Sequence, residues 1–316
     1  MSNDPGRRET DKKLAEMERH LHEVYTQAYE ELKQKTDDYF SRFREKDKAK
    51  RALVRQGKLS PKEYENWRKG QMFVGEHWIR MRDQAAQDLY NVNKTAIKYI
   101  NGQLPDIYAM NYNASAADIE NGMAHQISFE MTNPAVVRDL SLAGDKLLLP
   151  YKKLDPKKDI PWNMRNINAA MLQGILQGES IPKIAKRFLE VGVQNEIAAV
   201  RAARTMTTTV ENRARLQSAL DAQKAGVIMG KIWMSIGDER TRPWHAQAAR
   251  DYASPIPLEE LFIVNGEKLD APGDTGHGAS GMNLYNCRCS LGRRVLGFKS
   301  ILPKDKQGKI KVRFLS

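Results

Sequence analysis

The run Asp238-Glu239-Arg240-Thr241-Arg242-Pro243-Trp244-His245 sets two carboxylates, two guanidiniums and an imidazole on one short stretch of chain. Asn286-Cys287-Arg288-Cys289 begins 41 residues after His245 and holds both cysteines of the sequence. Between them lies Gly273-Asp274-Thr275-Gly276-His277-Gly278, a glycine-rich loop with a further histidine. Arginine offers a planar fork that grips a carboxylate through two bonds, so Asp238 followed by Arg240 and Arg242 suits an ion-paired turn or a phosphate cradle. His245, His277, Cys287 and Cys289 supply the two nitrogens and two sulfurs of a tetrahedral zinc site. One residue between the cysteines gives a tighter bite than Cys-x-x-Cys, and a disulfide across it would be strained.

The same atoms serve other chemistries. Around a catalytic metal, Asp238 or Glu239 would act as base in a metal-assisted hydrolase or nuclease that uses His245 and the Cys287/Cys289 pair. Cys287 with His245 is a nucleophile and base. With neither, the cysteines pack as small hydrophobes and the histidines bond to backbone. Residue types alone leave these alternatives open.

The elements that position these groups follow from periodicity. Leu14, Met17, Leu21, Val24, Ala28 and Leu32 recur at three- and four-residue spacing, which predicts a helix from about Asp11 to Ala52. At about 1.5 Å per residue its length is on the order of 60 Å, and its narrow apolar stripe suits a coiled-coil seam, an elongated bundle or a docking surface. Gly57 breaks the pattern, and Ser60-Pro61 restarts a helix ending near Gly70. A third helix spans Phe73 to Ile100 and stops at Asn101-Gly102, with no clear period from 103 to 150. Ile127, Phe129 and Met131 alternate as in a strand, ended by Asn133-Pro134. Residues 151–161, rich in proline and charge, read as a linker. A helical hairpin follows, Met164 to Gln177 closed by Gly178, then Ile181 to Leu189 capped by Ser180. A long helix runs from about Asn195 to Lys224 on a stripe of small residues. Lys231 to Ile236 alternates as a strand, and Asn265-Gly266 marks a hairpin. The fold class is therefore α+β: an elongated, mainly helical N-terminal region, then a helical hairpin, a long helix and a small antiparallel sheet with long loops. The expected domains are 1–150, helical and docking or DNA-contacting; the linker 151–161; an α+β domain at 162–298; and a basic tail at 299–316.

The chain has 316 residues, 41% hydrophobic and 28% charged, with a net charge of +12. This describes a core-forming protein rather than a disordered one. No apolar run reaches the ~18–20 residues that span a bilayer, and the polar start of the sequence reads as lacking a secretory signal. Two cysteines give no disulfide framework and suit a reducing cytoplasm. Between Ser41 and Lys69 lie 11 Lys/Arg and 4 Asp/Glu, and between Leu291 and Ser316 lie 8 Lys/Arg and a single acid, Asp305. Such concentrated basic runs attract phosphate without reading bases, so Lys46, Lys48, Lys50, Arg51, Arg55, Arg293, Arg294, Lys309 and Lys311 are candidate nucleic-acid contacts.

Ala202-Ala203-Arg204-Thr205, the strand with Trp233, Asp238-Glu-Arg-Thr-Arg-x-x-His245 and Asn286-Cys-Arg-Cys289 together resemble the phage Mu F-like domain. This domain belongs to the minor head, or head morphogenesis, proteins of tailed phages. The resemblance covers Trp162 to Leu291, with Gly178-Glu-Ser-Ile-Pro-Lys-Ile-Ala185 near its start. Met206 stands where the family often has glutamate, and Glu211 lies five positions further on. The resemblance implies a virion protein of the capsid interior or portal vertex, made in the host bacterial cytoplasm and structural rather than catalytic. Its partners would be the portal protein, other head or scaffold proteins and packaged double-stranded DNA. Arg204, Asp238, Arg240, Arg242, His245, Asn286, Cys287 and Cys289 would be its motif residues, tying loops together with or without structural zinc.

Overall fold

The computed structural model describes residues 5–73, 76–124, 126–142, 149–177, 179–299 and 308–314. The helices are α1 (Pro5–Arg55), α2 (Pro61–Phe73), α3 (Glu76–Gly122), α4 (Pro134–Leu142), α5 (Pro156–Leu176), α6 (Ile181–Lys224), α7 (Pro243–Asp251) and α8 (Gly281–Leu284). The strands are β1 (Ile127–Phe129), β2 (Val227–Met234), β3 (Ile256–Pro257), β4 (Phe262–Val264), β5 (Glu267–Leu269), β6 (Ser290–Phe298) and β7 (Ile310–Val312). The class is α+β and mostly helical, as expected. No described helix is long and apolar enough to cross a membrane.

The chain forms two compact units, each from separated pieces: Arg19–Tyr99 with Lys152–Val200, and Met1–Glu18 with Ile100–Tyr151 and Arg201–Ser316. Boundaries at 150 and 162 do not coincide with these units, because α1, α3 and α6 each contribute residues to both.

The first unit is a helical bundle. Its core joins Leu32, Phe40 and Phe43 of α1, Trp78 and Leu89 of α3, Ile167 and Met171 of α5, and Ile184 and Phe188 of α6. From α2, Trp67 stacks on Phe43 with ring centroids 5.6 Å apart. The start of α2 is a reciprocal capping box: Ser60 N donates to Glu63 Oε2 at 2.9 Å, and Glu63 N donates to Ser60 Oγ at 3.2 Å.

Four expectations change here. Met17, Leu21 and Leu32 of the α1 stripe are buried and Leu14, Val24 and Ala28 half-buried, so the stripe is spent on the fold and is not a free docking seam. α3 continues through Asn101-Gly102 and Pro105 to Gly122, because Ile100, Leu104, Ile107, Tyr108, Tyr112 and Ile119 bury a helical face. Burial on that scale outweighs the ~1 kcal/mol that an exposed helical glycine costs. The helices expected at 181–189 and 195–224 are one helix, α6. The proline-rich stretch is helical from Pro156, at the first position of α5, where its missing N–H has no partner to lose. Gly178, expected to close the preceding helix, lies outside the described residues.

In the second unit β2 is the centre of an antiparallel sheet ordered β3-β2-β6, with Trp233 opposite Leu291. β4 and β5 form the expected hairpin, and Asn265 (φ 51°) with Gly266 (φ 76°) adopts the doubly left-handed turn that Asn-Gly favours. β1 pairs with β7 in parallel, Phe129 opposite Val312. Phe314 packs edge-on against Tyr112 at 4.8 Å. Residues 310–314 are thus built into the fold, whereas 300–307 and 315–316 of the expected basic tail lie outside the described residues.

Candidate functional site

The site grows from one face of α6. Thr208 Oγ1 donates to Cys287 O at 2.7 Å, and Asn212 Nδ2 donates to Cys289 O at 3.1 Å and Pro272 O at 3.0 Å. Asn212 Oδ1 in turn accepts from Leu291 N at 2.7 Å, so two α6 side chains fix the backbone of the Cys-x-Cys segment as it enters β6. Thr209 Oγ1 donates to Gly273 O at 2.7 Å. Gly273 has φ +79°, and a Cβ there would meet Thr209 N at 3.1 Å; only glycine fits that turn.

Beyond β2, Asp238 Oδ1 accepts from Arg240 N at 3.2 Å and Thr241 Oγ1 at 3.0 Å, closing the turn that leads into α7. Pro243 opens α7 and His245 sits on its buried face. The expected pairing of Asp238 with Arg240 and Arg242 gives way to Arg288, which grips it with Nη1 at 2.7 Å and Nη2 at 2.6 Å. That pair holds the Asp238 carboxyl down at about 2, chiefly through the Arg288 bonds. Arg242 instead donates to Tyr285 O, and Arg240 contributes its backbone N–H. Asn286 adopts φ 53°, a left-handed conformation that asparagine tolerates. The turn and the Asn286–Cys289 segment are therefore tied together, as the motif reading expects, but by a different arginine.

The centre of the site is His245 with both cysteines. Its Nδ1 lies 3.3 Å from Cys289 Sγ and 3.7 Å from Cys287 Sγ. All three residues are buried, at 2–3% exposure. His245 Nε2 lies 3.1 Å from Asn283 Oδ1, which also accepts from Trp244 Nε1 at 2.8 Å. Asn283 Nδ2 donates to Val264 O at 3.0 Å and Glu267 Oε2 at 2.7 Å, which fixes the amide with its oxygen toward the histidine. Nε2 must then carry the proton, and the Nδ1 lone pair faces the sulfurs. Hydrogen bonding from Cys289 draws Cys287 well below the ordinary thiol range, and Cys289, the donor of that bond, is pushed up. Trp233 covers the imidazole edge-on at 5.5 Å.

His277 is not in this cluster. Its Nδ1 pairs with Asp274 Oδ2 at 2.5 Å and its side chain is 41% exposed. Among the described residues the close metal-ligating group is His245, Cys287 and Cys289. A buried imidazole between two thiols can bind a soft metal ion, or it can activate a sulfur; activation is useful only where substrate reaches the sulfur.

Residues 165–292 match the Phage Mu protein F like family. The Mu F-like segment thus includes α6, both motif clusters and the first residues of β6. The chain is also 30% identical over 211 residues to the Minor head protein GP7 of Bacillus phage SPP1, a match covering 66% of this chain and 65% of that protein. No solved structure matches.

Within the Mu F-like segment, Arg204 pairs with Glu18 of α1, through Nε at 2.6 Å and Nη2 at 3.1 Å. Glu211 is fully enclosed between Arg7 and Arg215. Asn212, Thr208, Glu267 and Asn283 are the positioning residues that sequence reasoning missed. The polar Thr208, Thr209 and Asn212 beside the α6 small-residue stripe were the available signal for two of them.

Of the basic candidates, Lys46, Lys48, Arg51 and Arg55 are exposed on α1, and Lys50 lies over the Trp67 ring at 5.8 Å. Arg51 is engaged by Asp47 at 2.9 Å and by the Tyr64 hydroxyl at 2.9 Å. Arg294 and Lys311 are exposed, Lys309 is half-buried, and Arg293 pairs with Asp118 at 2.9 Å.

Proposed function

We propose that the chain is a structural component of a tailed-phage head, a minor head protein that acts in head morphogenesis at the portal vertex and contacts packaged double-stranded DNA. The carrying observation is its similarity to a minor head protein over 211 residues together with the Mu F-like match. In this reading its partners are the portal and other head or scaffold proteins, and it resides in the virion. The structural role, rather than the hydrolase or nuclease alternative, is supported by the site itself. Both sulfurs are enclosed, and the Asp238 carboxylate that a hydrolytic centre would use as base is occupied by Arg288.

DNA contact is supported by the surface of α1. Arg44, Lys48, Arg51 and Arg55 follow helical spacing on one flank of the buried Phe40, Phe43 and Asp47, and Arg42, Lys46 and Lys50 follow it on the other. Two basic ridges therefore border a single buried face of this helix. Counterion release makes such binding salt-dependent, with a slope in log K against log salt of about −0.9 per phosphate neutralised. Changing Lys46, Lys48, Lys50 and Arg51 together to glutamine is expected to weaken binding to a DNA duplex of any sequence and to flatten that slope by about 2–3, since Arg51 already has partners. An unchanged slope, measured by fluorescence anisotropy across a salt series, removes this surface from the DNA-binding role.

A further inference from the structure

We propose that His245, Cys287 and Cys289 form a buried binding site for one zinc-class divalent metal ion, which fastens the start of α7 to the start of β6. The argument is geometric. Zinc lies about 2.3 Å from a thiolate sulfur and about 2.0–2.1 Å from an imidazole nitrogen. At a tetrahedral angle those bonds set nitrogen and sulfur about 3.5–3.6 Å apart. The two Nδ1···Sγ separations, 3.3 Å and 3.7 Å, straddle that value. All three donor atoms lie within 4.8 Å of one another, a cluster that a single ion can bridge with local adjustment of the side chains.

The surroundings are those a metal-binding histidine requires. Its second nitrogen is anchored on Asn283 Oδ1, and Asn283 is braced by the Glu267 carboxylate. Such outer partners fix the tautomer that aims a lone pair at the metal. Hydrogen bonds from Ser280 and then Asn283 hold Glu267 below its usual carboxylate range, so it stays ionised to do this. Backbone bonds from α6 fix the two cysteines independently of any ion. Two sulfurs and one imidazole favour zinc among the abundant divalent ions over magnesium or calcium, which take oxygen. The described residues give no fourth donor to this cluster. The burial of the sulfurs that disfavours a nucleophile suits a structural metal. His277, bonded to Asp274, stands outside the site.

The test uses the full chain, purified without chelator, with its metal content measured and the metal then exchanged for cobalt. One ion per chain is expected, with the thiolate-to-cobalt charge-transfer absorption that only sulfur ligands give. Stripping the ion should raise the rate at which both thiols react with a maleimide, and zinc should lower it again. Cys289→Ser should weaken cobalt binding at least tenfold, and Asn283→Ala by about 10–100-fold. His277→Ala should leave the spectrum unchanged. If chelation unfolds the chain and zinc restores it, the dependence is itself the expected result. A wild-type protein that is folded, reduced and free of metal, and that shows no charge-transfer band with cobalt, overturns the proposal. So does an ion retained in the Cys287→Ser/Cys289→Ser double variant, since that ion is bound elsewhere.

Discussion

Replacing Glu211 with alanine is expected to lower folding stability by about 3–5 kcal/mol, the range for breaking a buried ion pair from one side. Glu211 is 1% exposed on α6. Arg7 Nη1 lies 2.9 Å from one carboxylate oxygen and Arg215 Nη2 lies 3.0 Å from the other. Burial pushes the carboxyl up, while Arg7 and Arg215 pull it back toward the charged form. Removing it takes the buried carboxylate from between two nearly enclosed guanidiniums, of which Arg7 keeps Asp11 at 3.3 Å, in a medium that solvates charge poorly. Glu211→Gln keeps the volume and should still lose most of that stability, which separates charge from packing. The exposed Lys12–Glu9 pair on α1, at 2.6 Å, provides the contrast: Lys12→Ala should change stability by no more than about 1 kcal/mol. Urea unfolding of the three variants decides it. A Glu211→Ala midpoint within error of the wild type, at unchanged slope, would show that the triad adds nothing.

Asn283 is the second position where a single change should matter. Its side chain is 1% exposed and makes four hydrogen bonds, two accepted from Trp244 and His245 and two donated to Val264 O and Glu267. Asn283→Ala strands those partners, each of which costs about 1–3 kcal/mol if left buried and unpaired. Partial relaxation should hold the total to about 2–4 kcal/mol. Asn283→Asp tests the orientation directly. It preserves shape but sets a second carboxylate against Glu267, and should destabilise at neutral pH although only one group has changed. The imidazole reports separately: nitrogen NMR should find His245 protonated on Nε2 in the wild type and in mixed tautomers in Asn283→Ala. Unchanged stability with an unchanged tautomer would mean that the hub does not hold the histidine.

Much of the framework was legible because local signals and tertiary packing agreed. The α1 stripe, the Ser60-Pro61 helix start and the Asn265-Gly266 hairpin each satisfy their own hydrogen bonds within a few residues. Where they disagreed, packing won. Asn101, Gly102 and Pro105 all weaken a helix, yet α3 runs through them because Ile100, Leu104 and Ile107 are fully covered. Gly192 lies inside α6, where a Cβ would make only ordinary contact with Leu32 and Leu89, at 3.8–3.9 Å, so the helix runs on through it. The site divides in the same way. His245 and the two cysteines stood out by type, and they do meet. The partner of Asp238 was misassigned because Arg240 and Arg242 were nearer in sequence than Arg288, which the pairing of β2 with β6 brings across. His277 entered the expected zinc set by type and proximity along the chain, but Asp274 at three residues' distance claims it. Asn283 and Glu267 carry no motif of their own; their roles exist only once the β4–β5 hairpin and α8 are placed beside α7.

The most direct test of the head assignment is quantitative mass spectrometry of purified particles assembled with this chain, immature and mature, counted against the portal and major capsid proteins. A small, fixed number of copies per particle, comparable with the portal and far below the major capsid protein, is the predicted result. Absence from both kinds of particle would contradict it and return the enclosed His245–Cys287–Cys289 cluster to consideration as the working part of an enzyme.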